Sequence, residues 1–343
     1  MKQLLLFSIL VLTHITWAQT GGNTAFSLLD LNYNARSAGL GNDFISVKDQ
    51  DVNLGVANPS LLNEKMHTGL GINQALLAGG INYGMVAYAH KLKVGILSTH
   101  IRYVNYGEFA RTDVNGTSQG TFKPFESIIG AGFGKQLNPR ISVGANLNLI
   151  YSQLESYNSF GIALDLAGTY THKNENLLVT ALVKNAGMQL KTYTEKNRAP
   201  LPAEFQMAVS YKLNHAPFRF SLLAHHLNKW DITYVDPNLK PTLDPLTGDT
   251  IPVKIAGFGE KLARHFTYQL EILASKNLHI RAGFDYHRRQ EMKLEERPGI
   301  AGFSFGTGIY FKRFSVDYGF VVYSRAGFNT MLTFTTHLSR WRK

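Results

Sequence analysis

Asp49, Asp51 and Asn53 stand at D-x-D-x-N spacing, the opening of a loop that can wrap calcium in side-chain oxygens. A complete loop needs glycine at its sixth position and glutamate at its twelfth, and Leu54 and Ser60 stand there instead. The spacing therefore reads as a turn or a hydrogen-bonding contact. His225 and His226 are adjacent; on a strand, neighbours point to opposite faces, so the pair is not expected to chelate one ion. Ser221 and His225 share a strand face but stand too far apart for a serine to touch its base. No H-E-x-x-H, phosphate-binding or dinucleotide-binding loop occurs, and G-x-S-x-G, which occurs at 116–120 and 302–306, stands in neither place between a strand pattern and a helix pattern. With no cysteine, thiolate metal sites and thiol nucleophiles drop out as well. The expectation is a protein that is not an enzyme and has no cofactor and no catalytic or metal-ligating residues.

Binding is the better prospect. The stretch from Asn228 to Leu262 carries Trp230 and Tyr234, good interface anchors, and four prolines including Pro237 and Pro241. Prolines stiffen a loop and lower the ordering cost of capturing a protein. Arg288, Arg289 and Lys293, in a second such stretch, suit lipopolysaccharide phosphates.

The elements that position these stretches alternate with a period of two. In 140–153, Ile141, Val143, Ala145, Leu147, Leu149 and Tyr151 take one face and polar or small residues the other, with Ile150 the exception. The same alternation runs through 160–170, 204–213, 278–287, 301–311, 314–323 and 328–338. In 92–104 the apolar phase switches near Leu97, which predicts a bulge or register change. About fourteen such segments follow, starting near His67, and most reach the ~9–11 residues that cross a membrane at a tilt. Connections between them alternate between short, such as His90-Lys91 and Lys312-Arg313, and mostly long, such as 105–124, 186–202, 228–262 and 288–299. Short turns on one side and long loops on the other describe an outer-membrane barrel.

Composition agrees. Charged residues make up 17% and aromatics 12%, with 31 glycines, which suits strands and turns. A soluble sandwich would alternate too, but it would hide its apolar faces. In lipid every backbone group must pair, so the sheet closes and its apolar face turns outward. Tyr151, Tyr170, Tyr211, Tyr286, Tyr310 and Phe328 are expected at headgroup level. The fold class expected is all-β: a transmembrane antiparallel β-barrel of about fourteen strands. Lys2, the apolar run Leu4 to Leu12 and Thr16-Trp17-Ala18 predict an export signal over 1–18. Export makes the net charge of +11 a match for anionic lipid or lipopolysaccharide, with no nucleic acid as partner.

Residues 19–65 do not alternate, and the barrel is expected over 66–343. A barrel this wide has a lumen its own side chains cannot fill, so a plug is reasonable. The inward set Asp165, Glu204, Arg219, Arg281, Asp285 and Asp317 could pair internally or with Arg36, Asp49 and Asp51.

This stretch also carries a resemblance. Gly21-Gly22, Phe26-Ser27-Leu28-Leu29, Ala35-Arg36-Ser37-Ala38, Gly39-Leu40-Gly41, Asp49-Gln50-Asp51 and Asn58-Pro59-Ser60-Leu61-Leu62 resemble the N-terminus of type IX secretion barrels of the PorQ/PorV group, which are FadL-like. Ser60 stands where that family usually has alanine. The resemblance implies a fourteen-stranded barrel with an N-terminal plug segment that includes Arg36, Asp49, Asp51, Asn58 and Pro59. It further implies a surface attachment complex, in which the barrel holds a PorZ-like protein beside PorU-like protease and PorV-like components, linking cargo to anionic lipopolysaccharide. The competing expectation is a FadL-like transporter of hydrophobic small molecules across the outer membrane.

Overall fold

The computed structural model describes residues 24–77, 80–195, 197–234, 241–243, 248, 250–251, 255–293, 299–324 and 327–341. The expected export signal, Gly21-Gly22 and Pro237 lie outside these residues. Eighteen strands occur among the described residues: β1 (Gly69–Leu76), β2 (Asn82–Lys91), β3 (Ile96–Asn105), β4 (Phe109–Thr112), β5 (Ser118–Phe122), β6 (Phe125–Asn138), β7 (Ile141–Leu154), β8 (Tyr157–Thr171), β9 (Leu177–Lys191), β10 (Glu204–Lys212), β11 (Phe218–Ala224), β12 (Thr242–Leu243), β13 (Thr250–Ile251), β14 (Phe266–Ile272), β15 (Leu278–Asp285), β16 (Phe303–Tyr310), β17 (Phe314–Ser324) and β18 (Gly327–His337). Fourteen of them close into one antiparallel barrel, β1-β18-β17-β16-β15-β14-β11-β10-β9-β8-β7-β6-β3-β2. The remaining four form two hairpins, β4-β5 and β12-β13, each within a long connection. No helix among the described residues is long and apolar enough to cross a membrane.

The wall is inside out relative to a soluble protein. Ile101, Ile129, Leu149, Phe220, Tyr268, Phe305 and Leu332 are exposed on its outer face. Asn146, Asn148, Gln206, Gln269, Glu271 and Arg281 are buried on its inner face. Closure pairs the strand backbones that hydrocarbon could not solvate.

Three sequence expectations need correction. The apolar phase switch near Leu97 is not a bulge: β3 pairs with β2 and β6 without a register shift. Instead Ile96 and Val104 turn inward at the two ends of β3 and join the apolar core. Ile150 has the same explanation, being buried beside Ile128 and Ala163 in that core. The turn after β2 is not His90-Lys91, since the strand runs through Lys91 and Leu92 N–H bonds the Gly95 carbonyl. Tyr310 is not a girdle residue: it points inward, and its hydroxyl accepts from Arg281 Nη2 at 2.8 Å.

Residues 24–66 lie inside the barrel. Their order comes from caps. Asn34 accepts from Ser37 N–H at the start of the helix Ala35–Gly39, and Asp51 from Asn53 N–H at the start of Val52–Ala57. Asn58 accepts from Ser60 N–H, and Pro59 opens the 3₁₀ turn that follows. Contacts reach opposite walls: Ala35 N–H donates to Thr333 on β18, while Lys184 on β9 meets Asp43 at 2.6 Å. The wall makes room with glycine. A Cβ on Gly283 would overlap the Leu40 backbone, and one on Gly319 the Ala35 carbonyl.

Candidate functional site

The bore has two levels. At the short-turn end Glu271 sits among three guanidiniums. It accepts from Arg36 Nε at 2.8 Å and Nη2 at 3.0 Å, from Arg219 Nη1 at 2.6 Å, and from Arg281 Nε at 3.1 Å. Arg281 reaches on to Asp317 at 2.6 Å, and Arg36 to Asp49 at 2.6 Å and Asp51 at 3.7 Å. Such a buried network is tolerable only because each charge faces an opposite one and good donors. Asp49 and Asp51 also accept the N–H groups of Asp51 and Asn53, so the D-x-D-x-N spacing forms two successive side-chain turns. Beside this network opens a cavity of about 510 Å³, lined by Arg36, Asp49, Asp51, His279, Asp317 and His337 among others.

Toward the long-loop end the contents are mainly apolar, with buried Glu126 accepting from the Tyr106 hydroxyl at 2.5 Å. Phe26, Leu28, Leu29 and Tyr33 pack with Tyr83, Met85, Ile128 and Ile150. Leu31, Leu77, Ile81, Tyr106 and Ala199 are partly buried around them.

The sequence-predicted residues divide into those that meet and those that do not. Arg36, Asp49 and Asp51 come together as described. Asn58 donates to the Ile45 carbonyl at 2.7 Å, and Pro59 lies against Gly144 of β7. Of the inward set, Arg219, Arg281 and Asp317 join the network, while Asp165 accepts from Asn148 and from Asn185 N–H instead. Glu271, the residue at its centre, was missed. Its signal was available, because Thr267, Gln269 and Glu271 alternate with Tyr268, Leu270 and Ile272.

The loop candidates stand apart from the bore contents and from one another. Trp230 is half exposed and packs with its ring tilted against Phe258, centroids 5.2 Å apart, while Tyr234 and Pro241 are exposed. At the base of this loop Lys261 grips Asp231 at 2.5 Å. Burial raises the Asp231 carboxyl, but Lys261 and Thr233 outweigh it and hold the group down at about 2. Arg288 and Arg289 make contacts within the chain. Arg288 donates to the Gly41 carbonyl at 2.7 Å and lies 3.5 Å from Asp285, and Arg289 donates to the Gly299 and Ala301 carbonyls.

The strand-face premise for His225 and His226 does not hold. β11 ends at Ala224, and His226 adopts a left-handed backbone (φ 55°), so the strand rule no longer applies. The two Nδ1 atoms lie 2.8 Å apart, with Glu204 Oε1 3.3 Å from that of His226.

No family model and no curated protein matches this chain. Solved structures do. The toluene transporter TbuX of Ralstonia pickettii superposes with a TM-score of 0.53 at 11% identity, covering 90% of this chain and 99% of its own. The toluene transporter TodX of Pseudomonas putida gives 0.53 at 11%, covering 93% and 100%. The monoaromatic hydrocarbon channel CymD gives 0.53 at 14%, covering 91% and 99%. The chain has a FadL-like fold, that of outer-membrane barrels.

Proposed function

We propose that this chain is an outer-membrane barrel that admits hydrophobic small molecules, with residues 24–66 acting as a plug of its bore. The observation that carries this reading is the fold shared with hydrocarbon transporters over nearly the whole of both chains. The apolar mouth supports it: a molecule arriving between the long loops meets Leu31, Leu77, Ile81 and Tyr106 above Phe26. The ionic floor below offers it nothing, so passage requires the plug to shift or the molecule to leave through the wall. An export signal over 1–18 would deliver the chain to the outer membrane. The test is uptake of labelled toluene by cells lacking the chain and by complemented cells. Uptake several-fold faster in complemented cells is expected; equal rates overturn the reading.

A second reading is favoured by one observation, a plug tied down by Arg36–Glu271 and Lys184–Asp43 beneath an exposed Trp230 and Tyr234. In it the barrel belongs to the PorQ/PorV group and anchors a PorZ-like surface protein, with PorU/PorV-like components and lipopolysaccharide alongside. Deleting Asn228 to Leu262 should then leave the barrel inserted and release the surface protein from detergent extracts, read by mass spectrometry. A partner that stays on the shortened barrel rules out that contact.

A further inference from the structure

Glu204, His225 and His226 place one carboxylate oxygen and two imidazole nitrogens within 4.8 Å of one another. The residues come from neighbouring parts of the wall. Glu204 opens β10, and the two histidines follow β11. All lie at the long-loop end, beneath the connection that carries Trp230.

Protein hydrogen bonding accounts for only part of the cluster. Glu204 Oε1 accepts His226 N–H at 2.9 Å, which fixes the carboxylate. Two imidazole nitrogens 2.8 Å apart can share only one proton between them, so at least one lone pair is directed at the other ring. His225 is only 1% exposed, and its Nε2 has no hydrogen-bond partner. His287, just beyond β15, brings a third imidazole, with ring centroids 6.4 Å from His225 and 6.1 Å from His226. Its Nδ1 also lacks a partner. His265 is different: both its nitrogens are taken by the carbonyls of His225 and Trp230.

We propose that Glu204, His225 and His226 bind a borderline divalent transition metal, zinc first, with His287 placed to complete the set. Nitrogen donors in the majority exclude calcium and magnesium, which want oxygen ligands. Two or three imidazoles with one carboxylate suit tetrahedral zinc. Because the His226 side chain is 46% exposed, the ion enters from the long-loop side. Once bound, it pins the root of the 225–265 connection to β10. The site is independent of what the bore carries.

The experiment uses the full-length mature barrel without a polyhistidine tag, stripped with chelator and titrated with zinc chloride by calorimetry in detergent. One zinc per chain is expected. His226→Ala and Glu204→Gln should each weaken binding at least about tenfold, since even outer-shell partners cost 10–100-fold. Heat-modified gel migration verifies that each variant is folded, and the exposed His226 keeps the test open if a His225 variant does not fold. Cobalt substitution, read by its visible absorption, should report nitrogen ligation that falls in His287→Ala. Failure of the wild-type barrel to take up zinc overturns the site. So does an affinity that survives His226→Ala and Glu204→Gln combined.

Discussion

The two levels of the bore hold the same N-terminal segment by opposite means. Near the long loops, Leu28 and Phe26 are held mainly by burial, against Ile128, Ile150 and the space left by Gly161. At the short turns, Arg36 is held by charge, through Glu271 and Asp49. Apolar packing yields by degrees as atoms are removed, whereas a buried ionic network fails abruptly when one member goes. The ionic floor is therefore the rigid end and the apolar mouth the adaptable one.

Removing the centre of the floor should produce the largest effect. Glu271→Ala leaves three arginines facing one another and should cost about 3–5 kcal/mol. The readouts are a lowered unfolding midpoint and, in planar bilayers, steady conductance where the wild-type barrel conducts little. A variant as stable and as silent as the parent would show that the floor does not anchor the segment. At the mouth, Leu28→Ala should cost about 3 kcal/mol by opening a cavity, with no gain in conductance. If Leu28→Ala opened channels as readily as Glu271→Ala, the contrast between the levels would collapse.

Elsewhere in the segment, Asn58→Ala removes a cap and the bond to Ile45, and about 1–2 kcal/mol should follow. The stability of Asn58→Asp against Asn58→Ala separates capping from the amide's donation, since aspartate caps but cannot donate. The smallest effect lies outside the bore, at Asp231 and Lys261. The carboxyl is held below its ordinary value, so the tether is complete above 3.8 and is lost as pH falls through about 2. Asp231 is 45% exposed, so solvent screening keeps its worth under about 1 kcal/mol. Pepsin should cut the 225–265 connection faster at the acid end of that window than at its top, with the barrel itself intact.

The wall was legible in the sequence because period two survives wherever one face meets lipid. Its exceptions mark places where the inner face stops meeting water. Ile128, Ile150, Ile96 and Val104 are apolar on the inside because they join the apolar core that residues of the N-terminal segment complete. That contact joins distant parts of the chain, and no local pattern announces it. Tyr310 was misread because tyrosine suits both headgroups and a buried Arg281, and its position at a strand end does not choose between them. The histidine pair departs from the pattern for a backbone reason: alternation holds only while the strand lasts, and β11 ends at Ala224, before the left-handed His226. The charged cluster was half legible. Arg219, Arg281 and Asp317 follow from strand phase and Arg36 and Asp49 from their charge, but what unites them is Glu271, on the short strand β14.

The glycines facing Leu40, Ala35 and Pro59 carry a consequence for biogenesis. Wall and lodger touch backbone to backbone, with no clearance for a finished cylinder to be threaded afterwards. β1 meets β18 only when the whole chain has emerged, so the opening stretch of the polypeptide has to wait in place while the staves are raised around it. Bulk added at those glycines should therefore show itself first as barrels that never seal.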